Sequence, residues 1–171
     1  MEIFGRFLTR RRALQSGLLM AAPFPFLKAA DRDEPPLHFV ARTVEGDKVS
    51  SDSLKGKVVL IEFWATWCKY CKRDEPAVDS VTKDFESKGL VVLAVDMGEP
   101  KRKVKKYLEE NPRSPKIVLA EDTTLAAICE AKAYPLYVLI DREGKVAGRQ
   151  HGAAGEGALR RLLSKAGLEE S

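Results

Sequence analysis

Cys68 and Cys71 are the residues in this 171-residue chain most suited to chemistry, two of its three cysteines, with only two residues between them. A thiolate attacks a disulfide, and a second thiol within reach can then displace the first partner. A Cys-x-x-Cys pair is therefore a candidate two-electron couple. The run Val58 to Ile61, then Phe63-Trp64, leads into the pair and is apolar on both faces, as in an interior parallel strand. A helix-compatible segment follows. Cys68 then falls at the first turn of a helix, where unpaired N–H groups and the helix dipole favour an anion by roughly 0.3–2 kcal/mol. Lys69 adds positive charge. Cys71, one helical turn on and nearer the axis, is placed to resolve a mixed disulfide.

Other residues bear on the same chemistry. Glu62 interrupts the apolar strand between Ile61 and Phe63. Burying an ionised carboxylate is costly, so its proton affinity should rise. It is either a proton-transfer group or a carboxylate bent to a wet edge. Half a zinc site is the rival reading of the cysteines, but tetrahedral zinc needs four ligands. The two histidines, His38 and His151, are distant singletons, so neither metal nor organic cofactor is expected. Cys129 lies on an apolar helix face and reads as a small core residue, with a regulatory thiol as the alternative.

The elements that must position these groups alternate in type. Leu37 to Val44 reads as a strand, with a turn at Glu45-Gly46-Asp47 and a short strand at Lys48 to Ser50. Ser51 to Gly56 reads as a helical turn. After the cysteines, Val78, Val81 and Phe85 form a helical stripe, with Pro76 inside it as an expected kink and Gly89 as the cap. Leu90 to Val95 is a second apolar strand, making a right-handed parallel crossover. A helix is predicted from Lys101 to Glu110, then a strand from Lys116 to Ala120. A further helix is capped by Asp122 or Thr123 and carries Leu125, Ile128 and Cys129. Leu136 to Ile140 pairs antiparallel with Lys145 to Gly148, and a last helix carries Leu159, Leu162, Leu163 and Ala166. This is an α/β fold, a central mixed sheet sandwiched by helices.

Of 29 basic and 25 acidic residues, five basic and one acidic fall before residue 30, which leaves 24 of each. The basic excess therefore belongs to the leader. Arg10-Arg11-Arg12 precede a weakly apolar run, Ser16 to Leu27, too short for the roughly 20 residues that span a bilayer. Ala29-Ala30 then offer a cleavage zone. Residues 1–30 read as an export signal and 31–36 as a linker into a domain at 37–168. Thr9-Arg10-Arg11-Arg12 resembles a twin-arginine signal, although Ala13 stands where that pattern prefers Phe and the general secretory route stays open. Membrane contact is expected only through export or an uncleaved signal. The basic run Lys101 to Lys106 lacks interleaved aromatics and reads as a solvated helix face, not a nucleic-acid site.

Phe63-Trp64-Ala65-Thr66-Trp67-Cys68-Lys69-Tyr70-Cys71 resembles the thioredoxin superfamily signature F-W-A-x-W-C-x-x-C. Gly56-Lys57-Val58, Pro76, Leu139-Ile140-Asp141 with Gly144-Lys145, and the extra N-terminal β-hairpin resemble its exported TlpA/ResA-like branch. The resemblance covers about residues 36–167. It implies a thioredoxin-like fold, Cys68 as nucleophile, and Pro135 as the cis-proline facing the dithiol, whereas a proline opening a strand could be only an edge marker. Trp67, Tyr134 and Pro135 become candidate substrate-binding residues. Tyr134 is bulkier than the usual neighbour and either restricts substrates or packs on Trp67. Glu62 matches the buried acid of ordinary thioredoxins. Asp74 stands where the branch carries Glu, and reads either as a tuning group for Cys71, with Lys69 and Tyr70, or as a solvated charge.

The resemblance implies a monomeric, extracytoplasmic bacterial thiol–disulfide oxidoreductase. It would reduce protein disulfides, apocytochrome c among them, with electrons from a membrane thiol carrier. A disulfide oxidase or isomerase of the same fold is the alternative. A peroxidase of this fold needs Thr three residues before its cysteine, where this chain has Ala65. A copper chaperone uses Cys-x-x-x-Cys, one residue longer than the spacing here.

Overall fold

Residues 35–170 are described by the computed structural model. The predicted signal at 1–30 and most of the 31–36 linker lie outside the described residues. Seven strands form one sheet: β1 (Val40–Thr43), β2 (Lys48–Ser50), β3 (Val58–Trp64), β4 (Leu90–Asp96), β5 (Lys116–Thr123), β6 (Leu136–Ile140) and β7 (Val146–His151). Four helices accompany them: α1 (Lys69–Glu86), α2 (Lys101–Glu110), α3 (Leu125–Ile128) and α4 (Glu156–Ser164). The strand order is β2-β1-β5-β4-β3-β6-β7. β3 runs parallel to β4 and β4 to β5, while β6 is antiparallel to β3.

β3 lies inside the sheet between β4 and β6, and every one of its seven residues is buried. Its alternation divides the core. Val58 and Leu60 pack with Val78, Val81 and Phe85 of α1 and Leu159, Leu162 and Leu163 of α4. Val59, Ile61 and Phe63 point the other way, toward Leu93, Val95, Leu125 and Val138. Burying a side chain of this size is worth about 1.5–3 kcal/mol, so β3 anchors both faces. The β3–α1–β4 crossover is parallel, as its two apolar runs predict.

Pro76 sits inside α1 and offers no N–H to the preceding turn. The helix closes at Ser87, and Gly89, at φ +90°, turns the chain into β4. The edges depart from the sequence reading. β1 begins at Val40 because Leu37 and Phe39 bond instead to Gly144 and Ser51. β5 runs on to Thr123 because Ala41 of β1 pairs there, and the cap of α3 moves to Thr124. Thr123 still accepts the Leu125 N–H through its hydroxyl at 3.3 Å. β7 extends to His151, opposite Leu136. Among the described residues, no helix is long and apolar enough to cross a membrane.

Candidate active site

At the C-terminal end of β3 the chain turns through Ala65 to Trp67 and enters α1. Cys68 is the N-cap residue, one position before the first helical turn, and its sulfur accepts the Cys71 N–H at 3.1 Å. Capping needs an extended backbone, which Cys68 has, so its sulfur is held against the open end of the helix. Cys68 and Cys71 form a disulfide with Cα atoms 5.2 Å apart. Cys68 is 5% exposed and Cys71 fully buried, so the first sulfur is the accessible one.

The opposite wall comes from the residues before β6. The Tyr134–Pro135 peptide is cis, and the Tyr134 carbonyl oxygen lies 3.9 Å from the Cys68 sulfur. Gly152 donates to the Pro135 carbonyl at 2.9 Å, tying this wall to the end of β7. Trp67 meets the Tyr134 ring edge-on at 5.7 Å, the packing arrangement among the two expected for Tyr134. Trp67 and Tyr70 remain 61% and 59% exposed, an apolar rim beside the disulfide. Lys69 is exposed, and Arg73 lies over the Tyr70 ring at 5.5 Å.

The strand and helix that carry the disulfide also bury acids. Glu62 is fully buried, with Ala94 and Tyr137 as its cross-strand neighbours. It is not bent to a wet edge. Its Oε2 accepts from the Arg113 guanidinium at 3.0 Å, while Oε1 has no hydrogen-bond partner. The Arg113 side chain is 1% exposed and also meets Glu75 at 3.4 Å and Asp79 at 3.2 Å. The Trp64 ring lies 5.2 Å from the same guanidinium, and Tyr107 donates to Glu75 at 2.7 Å. Burial pushes the Glu62 carboxyl up to about 7, against the pull of Arg113 and with the help of Glu75 and Asp79.

Asp74 is not the solvated charge of one sequence reading. It is 2% exposed and accepts from the Tyr137 hydroxyl at 3.1 Å, from the Ala154 N–H at 2.5 Å and from Gly155 at 3.3 Å. A further acid pair braces the turn before Cys68. Glu99 accepts the Thr66 N–H at 2.5 Å and its hydroxyl at 2.8 Å, and Lys103 pairs with Glu99 at 2.6 Å. Asp96 accepts from the Glu99 N–H, and burial beside that carboxylate pushes its own carboxyl up to about 7. Burial also pushes Glu99 up, but Lys103 and Thr66 outweigh it and hold it below the usual range.

Sequence reasoning missed Arg113, Glu75, Asp79, Tyr107, Glu99, Thr66 and Tyr137. Cys129 lies in the core, where burial raises its thiol to about 11. Among the described residues, no group of three His, Cys, Asp or Glu side chains is arranged to hold a metal.

The sheet, its flanking helices and the disulfide at the head of α1 define a thioredoxin-superfamily redox enzyme. The chain belongs to the AhpC/TSA family, which it matches over residues 33–150. It is 29% identical to the thiol-disulfide oxidoreductase ResA of Bacillus cereus over 75% of this chain and 74% of that one. It is 33% identical to ResA of Bacillus subtilis, over 64% of this chain and 61% of that protein. In structure it is similar to a thiol:disulfide interchange protein of Chlorobium tepidum, with a TM-score of 0.70 and 28% identity. That likeness covers 80% of this chain and 99% of the other. These relatives agree with the TlpA/ResA-like resemblance read from the motif.

Proposed function

We propose that this protein is an exported thiol–disulfide oxidoreductase that reduces protein disulfides through Cys68 and Cys71. The observation that carries the reading is the disulfide at the N-terminus of α1, set against the cis Tyr134–Pro135 peptide. In the reduced enzyme the Cys68 thiolate, stabilised by the Cys71 N–H and the helix terminus, attacks one sulfur of a client disulfide. A mixed disulfide forms and one client thiolate leaves. Cys71 gives its proton to Glu62 and attacks the Cys68 sulfur, expelling the second client thiolate. The dithiol has then lost two electrons and the client disulfide has gained them. A thiol carrier of the membrane returns the pair of electrons.

The client approaches as an extended chain. Trp67, Tyr70 and Tyr134 offer it an apolar rim, and backbone beside Pro135 is available to pair with it. Lys69, Tyr70 and Asp74 tune the couple, by charge near Cys68 and by fixing α1 one turn after Cys71. The basic leader supports export and a periplasmic or other extracytoplasmic address, where an unfolded apocytochrome c is a fitting client.

The test is a trapping experiment. Cys71→Ser protein expressed in an exporting host should retain a client covalently through Cys68, while Cys68→Ser protein should retain none. Wild-type protein should reduce insulin disulfides with a thiol donor, and loss of either cysteine should abolish this. A wild type that neither reduces insulin nor yields a trapped client overturns the reading. Trapped apocytochrome c would assign it to haem attachment, and a trapped isomerase to disulfide editing.

A further inference from the structure

Arg113 touches neither cysteine, yet it is almost completely buried and spends its guanidinium on three carboxylates. Arginine stays charged in proteins, so a single positive charge faces three acids, of which no more than one can be neutralised by it. The acids differ in exposure. Glu75 and Asp79 on α1 keep 12% and 20% of their side chains in solvent, whereas Glu62 keeps none. The proton that relieves the excess negative charge therefore settles on Glu62. Geometry then selects the atom, since Oε2 is taken by Arg113 and Oε1 is buried with no partner.

Resting on the function proposed above, we infer that Arg113 is a positioning residue for the proton-transfer step, holding Glu62 by one oxygen and leaving Oε1 as the proton site. Glu62 stands two residues before Trp64, on the strand face where Trp64 packs with Cys71. The step moves one proton, from the Cys71 thiol to Oε1, as the Cys71 sulfur displaces the client from Cys68. Glu75 and Asp79 draw part of the guanidinium's charge and so keep Arg113 from stripping the proton permanently. Tyr107 fixes Glu75 from α2. Tyr137, from β6, faces Glu62 across the strands and carries Asp74 beyond its hydroxyl. The residue thus sets the pH at which Glu62 can take a proton, without itself exchanging one.

The test follows the buried carboxyl by infrared titration of the full protein, the Glu62 band being identified as the one lost in Glu62→Gln. Arg113→Met should raise the pH of Glu62 ionisation by about 1–3 units, the size of effect an adjacent opposite charge has on a carboxyl. Glu75→Gln and Asp79→Asn should lower it, because each removes a like charge. Arg113→Lys should fall between wild type and Arg113→Met. The pH dependence of mixed-disulfide resolution should move in the same directions. General loss of structure cannot produce shifts of opposite sign. If Arg113→Met does not fold, the two part-exposed acid variants decide the matter alone. An Arg113→Met shift in the same direction as the acid variants, an upward shift in either acid variant, or no shift, overturns the inference. An active wild type whose resolution profile ignores these variants overturns the inference and spares the proposed function. A wild type unable to reduce insulin overturns both.

Discussion

Two carboxyl groups flank the disulfide in sequence, Glu62 on β3 and Asp74 on α1, both buried, and they are satisfied in opposite ways. Among the described residues, Asp74 forms no ion pair. Its oxygens are occupied by neutral donors, the Tyr137 hydroxyl and the N–H groups of Ala154 and Gly155. Glu62 has a cation but half its hydrogen-bonding capacity is empty. Donors converging on a carboxylate fix it in place and tie down whatever carries them, here the 152–155 turn against α1. A carboxylate held by one oxygen keeps the other free to gain or lose a proton. The first is an architectural acid and, on the function proposed above, the second is a chemical one, although both come from the same stretch of sequence.

The sharpest way to break that contrast is to truncate the architectural acid. Asp74→Ala leaves a buried hydroxyl and two backbone N–H groups without their acceptor, each loss costing about 1–3 kcal/mol. We expect a destabilisation of about 3–5 kcal/mol, read as a lower denaturant midpoint; a change below about 1 kcal/mol would contradict the bonding described.

The chemical acid should show itself through pH. Folded Glu62 ionises near 7 and an unfolded Glu near 4.5, so the native state holds the extra proton between those values. Stability from this group is therefore complete below about 4.5, falls as pH rises and levels off above about 7. The fall is worth roughly 3 kcal/mol. Glu62→Gln should remove it, seen by unfolding both proteins across that range, whereas Asp96 titrates in both and cancels. A wild type and variant with parallel curves would place Glu62 with the architectural acids.

A smaller effect is expected where the two acids meet. Tyr137→Phe removes one donor from Asp74 but leaves the two backbone N–H groups, so a loss of about 1 kcal/mol should follow. If the loss instead equals that of Asp74→Ala, the hydroxyl rather than the 152–155 turn dominates the site.

The sequence was most legible where one chemical type repeats over a long run. β3, β4, α1 and β6 are bounded almost as their apolar runs and stripes predict, and α2 spans the predicted Lys101 to Glu110. β1 starts three positions after its predicted start and the α3 cap falls one or two positions after its predicted place, because partners elsewhere set their limits. Cys68, Cys71, Pro135 and the burial of Glu62 were legible too. Arg113 was not. An acid in an apolar strand demands a partner, but nothing local says which of the chain's basic residues, 51 positions away as it proves, will supply it. The burial of Asp74 did leave a signal, since it lies on the helical stripe of Cys71, Val78, Val81 and Phe85. A polar residue on that stripe is easily read as a gap in it.

Finally, the chain's two tryptophans flank the active-site turn and live in different worlds. Trp67 is exposed next to the disulfide, and Trp64 is fully buried under the Arg113 guanidinium. The molecule thus carries two optical reporters, three residues apart. Emission from Trp67 should follow the arrival of a client, while Trp64, which shares a core cluster with Cys68 and Cys71 and lies under Arg113, should follow both the oxidation of the cysteines and the charge on the buried cluster. Replacing either tryptophan by Phe leaves the other as a label-free reporter, one at the rim of the active site and one in the core beneath it.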